Sequence, residues 1–192
     1  MRSDIMAREV LEFWFGADSD YGKRHKRWFA KDAAFDEEIR RRFSTLVEAL
    51  AGGAHRDWLD DSRACLARIV ALDQFPRQIH RGSPRAFAAD PLALEAARHA
   101  VAKRYDADML PVERLFAYLP FEHSESLADQ DRACELMRPL AEFPETDDAL
   151  RYAEAHRAII ARFGRFPHRN ALLGRASTAE ELEFLCQPGS AF

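Results

Sequence analysis

The chain has 192 residues, 47% hydrophobic and 31% charged, with a formal net charge of −4. That length fits one domain able to bury roughly 70% of its unfolded surface without a disulfide or metal staple. The acidic balance argues against nucleic-acid binding through bulk electrostatics but leaves room for a local cationic pocket.

The first predicted helix is Asp4 to Phe15, capped by Ser3 and stopped by Gly16, with Val10, Phe13 and Trp14 on one face. After a loop at 17–22, the stretch from Tyr21 to Phe29 holds at most one short turn. Asp32 opens a helix to about Ala51, where Phe35, Ile39, Phe43, Leu46 and Leu50 recur at spacings of 4, 4, 3 and 4, and Gly52-Gly53 ends it. Asp61 or Ser62 caps the next helix, which runs to about Phe75; Pro76, Gly82 and Pro84 predict irregular chain over 76–83.

Ser83-Pro84 starts a short turn, and Asp90-Pro91 reads as a cap followed by a first-turn proline, opening a helix to about Arg104. A helix over Val112 to Leu119 ends at Pro120, and Ser124 caps one reaching about Leu140. Asp147 or Asp148 caps the helix carrying Tyr152, His156, Ile159 and Phe163. Ser177-Thr178-Ala179-Glu180 reads as a capping box for a last helix ending near Cys186. No segment alternates long enough for a strand. The expected fold is therefore a single all-α domain over 1–192, with about eight antiparallel helices on short connections. No 34-residue repeat is visible.

Cys65, Cys134 and Cys186 are scattered and read as reduced, mostly buried thiols of a cytoplasmic protein. No signal peptide and no membrane-length apolar run is visible. Among 28 basic residues only Lys23, Lys26, Lys31 and Lys103 are lysines. That preference reflects either genomic composition or bidentate recognition of carboxylate and phosphate.

Three helices end in similar corners: Asp73-Gln74-Phe75-Pro76-Arg77, Leu119-Pro120-Phe121-Glu122-His123, and Gly164-Arg165-Phe166-Pro167-His168-Arg169-Asn170. Each mixes proline, phenylalanine and charge. In an up-and-down helical array the parity of these helices brings the corners to one end. The expected anion-binding set is Arg77, Arg81, Arg165, Arg169 and Asn170. The candidate acid–base groups are Glu122, His123 and His168. Asp73, Gln74, Asp90, Glu125 and His156 form the supporting network.

Those corners, together with Arg81-Gly82, Ala86-Phe87-Ala88, Leu11-Glu12-Phe13-Trp14-Phe15-Gly16, Leu173-Gly174-Arg175, Pro188-Gly189-Ser190 and Phe192, resemble the uncharacterised proteins grouped as domain of unknown function 924. The resemblance extends over the whole chain. It implies a tetratricopeptide-like helical fold and no particular activity.

Four readings of the cluster stand side by side. It is a satisfied polar network tying helix ends together. Alternatively it binds a small phosphate- or carboxylate-bearing metabolite, with or without acid–base chemistry. A metal site from Glu122, His123, Glu125, His156 and His168 lacks the Glu-x-x-His and His-Glu-x-x-His spacings, so no metal and no cofactor is expected. Last, the protein is an interaction module whose concave face, lined by Trp14, Trp28, Trp58 and Tyr118, takes a peptide or protein partner. Neither nucleic acid nor membrane is an expected partner, and the oligomeric state is left open.

Overall fold

The computed structural model describes residues 2–190, with side chains from residue 5 onward. Helix α1 begins at Arg2, so Ser3 lies within it rather than capping it, and Phe192 lies outside the described residues. The protein is all-α: α1 (Arg2–Phe15), α2 (Ala33–Ala51), α3 (Ser62–Asp73), α4 (Phe75–Ile79), α5 (Asp90–Ala102), α6 (Pro111–Glu122), α7 (Leu127–Met137), α8 (Ala149–Phe163) and α9 (Ala179–Leu185), joined by short 3-10 turns, with no strand among the described residues.

Local chemistry explains most boundaries. Asp32 Oδ1 accepts from the amides of Ala34 and Phe35 at 3.0 and 3.1 Å, and Asp61 Oδ1 does the same for Arg63 and Ala64 at 3.0 and 2.9 Å. Gly16 follows α1 at φ +91, where a Cβ would stand 2.9 Å from the Asp20 carbonyl oxygen. Only glycine fits that turn.

α3 is the central helix. Every residue from Ala64 to Asp73 is buried, and the helix packs against α1, α2, α5 and α6. Ala93, Ala96, Ala97 and Ala100 of α5 are buried too, and small side chains on both helices let their backbones approach closely. Beyond this centre the contacts follow chain order, α6 against α7 and α7 against α8.

The aromatic core lies beside α3. The Trp28 and Phe116 rings are 4.7 Å apart, edge to face, and Phe75 stacks on Phe43 at 4.8 Å. Trp14, Trp28, Trp58 and Tyr118 are all buried here, so the peptide-binding face expected from these four side chains does not exist. Cys65 and Cys134 are buried free thiols and Cys186 is an exposed one.

Several boundaries differ from the sequence reading. Residues 75–79 form helix α4 rather than irregular chain. Pro76 falls in its first turn, where a missing amide costs nothing. Helix α6 continues through Pro120 to Glu122. Only the last turn follows the proline, and the His123 amide still reaches the Leu119 carbonyl at 2.9 Å. Asp90 opens α5 without capping it, because its carboxylate is engaged by arginines. Helix α7 starts at Leu127, not at Ser124; Ser124 Oγ instead accepts from the Ser126 amide at 3.2 Å and donates to Asp129 at 2.7 Å. The last capping box is one residue later than expected. Thr178 Oγ1 takes the Glu181 amide at 3.2 Å, and Glu181 Oε2 takes the Thr178 amide at 2.7 Å.

Candidate functional site

The three corners meet. α3 ends at Asp73, α6 ends beside His123, and the turn after α8 carries Arg169. Asp73 Oδ1 stands 2.7 Å from His123 Nδ1, and Arg169 Nη1 donates to the His123 carbonyl at 3.1 Å. Gln74 Nε2 donates to the second Asp73 oxygen at 2.5 Å, and Arg77 Nη1 is 3.4 Å from the first. Burial pushes the Asp73 carboxyl upward, but the Arg77 charge and the His123 ring outweigh it and hold Asp73 below the usual carboxylate range.

Arg77 and Arg169 sit in unequal electrostatic positions. Arg77 grips Asp90 with two parallel bonds of 2.8 and 3.0 Å. Arg169 reaches the same carboxylate only at 3.5 Å. Its Cζ lies over the Phe166 ring at 4.4 Å and over the Phe87 ring at 4.7 Å. Burial, then the Arg77 charge, lowers the Arg169 guanidinium to about 10. The Arg77 guanidinium is raised: burial works against its charge, but Asp73 and Asp90 more than compensate. Arg169 is thus the under-compensated cation of the pair.

Behind this layer, Glu122 Oε1 lies 3.0 Å from His156 Nδ1, and that nitrogen is also 2.9 Å from the Tyr152 carbonyl. Burial, then the charges of Asp73 and Asp148, raises the Glu122 carboxyl to about 8, so it is mostly protonated at neutral pH. Burial also lowers His156 to about 3. The His123 and His156 rings are 6.4 Å apart.

Other expected members face elsewhere. Arg165 gives Nε and Nη2 to Glu181 at 2.6 and 2.8 Å, and Arg81 gives the same two groups to Asp36 at 2.9 and 2.9 Å. Asn170 donates to Ser177 and Glu181 and accepts from Arg175. Glu125 takes the Phe166 amide at 2.8 Å and both arms of Arg175 at 2.7 and 2.9 Å. His168 is half-buried with its ring 5.6 Å from Phe166, and burial brings it down to about 4. Arg165, Arg81 and Asn170 therefore hold the corner together rather than lining the space beside His123.

The residues missed from sequence are Arg175, Glu181 and Phe87. Arg175 and Phe87 lie inside the recognised blocks, and a one-residue shift of the capping box points to Glu181. Among the described residues no group of three His, Cys, Asp or Glu side chains is placed to hold a metal ion. No helix among them is long and apolar enough to cross a membrane.

Fold and site together define an all-helical protein with a buried carboxylate–histidine–arginine cluster where helix ends converge. The chain belongs to the family described as bacterial protein of unknown function (DUF924), whose model matches residues 10–189. It is similar to the solved structure of ATU0120, a protein of unknown function from Agrobacterium tumefaciens: 40% identity, TM-score 0.85, covering 95% of this chain and 98% of that one. Among curated proteins none matches.

Proposed function

We propose that the protein binds a small anionic metabolite, bearing a carboxylate or phosphate, against Arg169 with Arg77 close behind. One observation carries the reading. Arg169 is buried, yet among the described residues its Nε and Nη2 have no hydrogen-bond acceptor, and Nε is wholly shielded from solvent. A buried guanidinium donor left unmatched costs free energy that a ligand oxygen would recover. The depressed Arg169 supports the same reading, because an added negative charge beside it relieves the repulsion from Arg77.

The test is thermal unfolding with inorganic phosphate, pyruvate, 2-oxobutyrate, 2-oxoglutarate and glucose 6-phosphate, using the wild type and Arg169→Lys. The lysine keeps the charge and loses the fork of donors. A ligand at 100 times its dissociation constant stabilises by about 2.7 kcal/mol. The expected result is a saturable rise in Tm with at least one compound, lost in Arg169→Lys. A flat response across the panel, or a rise that the variant retains, overturns the proposal.

A further inference from the structure

The unmatched buried donors of Arg169 and the fixed orientation of His123 go further than binding. We infer that the cluster is a proton-transfer site for a small 2-oxo carboxylate, with His123 as the group that takes and returns the proton. This rests on the anion-binding reading above.

Carboxylate is the anion that the arginine geometry favours. Nε and Nη2 form one of the two parallel donor edges of a guanidinium, and Arg81 and Arg165 each place that pair on one carboxylate of this protein, Asp36 and Glu181 respectively. The same pair on Arg169 has no such partner. The half-buried Phe87 ring beside the guanidinium offers an apolar surface to a flat molecule, while the Phe166 ring on which the guanidinium also lies is fully buried.

His123 is arranged as a base. Its Nδ1 is tied to Asp73 at 2.7 Å, which places the proton on Nδ1 and leaves Nε2 as the free, basic nitrogen. Nε2 makes no hydrogen bond among the described residues, and the side chain keeps 15% of its surface accessible. The Arg169 guanidinium is bonded to the carbonyl of this same residue at 3.1 Å, so anion and base are held by one piece of backbone. The groups facing the imidazole are Asp73, Arg77, Asp90, His156 and Arg169. Two aspartates balance two arginines there, so a bound anion leaves the site one negative charge in excess, and protonation of His123 cancels it. The base therefore strengthens when the substrate is in place.

The step balances without a co-reactant. His123 Nε2 takes a proton from the carbon next to the 2-oxo group. The C–H electron pair becomes the C=C bond of the enolate, and the carbonyl oxygen carries the negative charge beside the arginines. Return of the proton to carbon restores the oxo acid. In this step Asp73 is a positioning residue.

The experiment is exchange of the pyruvate and 2-oxobutyrate C3 hydrogens in D2O, followed by proton NMR, with binding of the same acids read by thermal shift. The wild type is expected to bind and to speed exchange at least 10-fold over buffer. His123→Gln should bind and exchange at the buffer rate. Asp73→Asn should move the half-maximal pH of exchange downward, because the Asp73 charge favours the imidazolium. Binding with exchange at the buffer rate, or exchange unchanged in His123→Gln, overturns the inference and leaves the binding site standing. Absence of both binding and exchange overturns both.

Discussion

The carboxyl of Glu122 and the ring of His156 meet at 3.0 Å with both side chains buried, and among the described residues no arginine pairs with the carboxyl. Each is held near its neutral form by burial. Folded Glu122 keeps a proton between its ordinary 4.5 and about 8 that the unfolded chain has lost. Stability from this group is therefore full below 4.5 and falls as pH rises through 8. His156 acts in the opposite sense. The unfolded imidazole is protonated below 6.5 and the folded one only below about 3, so stability falls as pH drops through that window. The two slopes oppose each other between 4.5 and 6.5. Thermal unfolding followed from pH 3 to 9 should show its highest Tm there, and Glu122→Gln should remove the alkaline decline. An alkaline decline that persists unchanged in Glu122→Gln assigns it to another group.

Arg77 and Asp90 form a two-bond pair with 18% of each side chain exposed. Asp90→Ala leaves two guanidiniums without their shared acceptor and is expected to cost about 3–5 kcal/mol in urea unfolding. Asp36→Ala breaks the pair with Arg81, whose side chain is 39% exposed, and should cost about 1 kcal/mol or less. Equal losses for the two variants would contradict this ranking.

Glu181 ties α9 to the corner, accepting from Arg165, Asn170 and the Thr178 amide. Glu181→Ala should raise amide hydrogen exchange across residues 165–182 while leaving α1 to α3 protected. Uniform protection in the variant would show that α9 is held by other contacts.

The Asp32 cap offers a purely local check. Asp32→Ala removes the acceptor for two α2 amides and should lower stability by about 1 kcal/mol. Asn at the same position should restore most of it. A neutral Asp32→Ala would mean that tertiary packing alone fixes the start of α2.

Caps and helix faces were legible from the chain because they depend on neighbours three or four residues away. Asp32, Asp61, the apolar stripe of α2 and the absence of strands all follow from that local chemistry. The meeting of the Asp73, His123 and Arg169 corners was also legible, since alternating helix direction brings those ends together. Pro120 was misread because proline gives up only its own bond back to the preceding turn, and the amides after it still bond, as His123 does to the Leu119 carbonyl.

The sequence by itself determined an all-helical chain with charged corners gathered at one end. Tertiary structure alone decided which charge meets which. Arg165 turns to Glu181, Arg81 to Asp36 and Arg77 to Asp90, while Arg169 is left short of an acceptor and Glu122 faces a histidine. These choices depend on how each helix is rotated about its own axis, and on which of several carboxylates, tens of residues away in the chain, comes within about 3 Å. Such short-range bonding at long sequence separation has no periodicity to read.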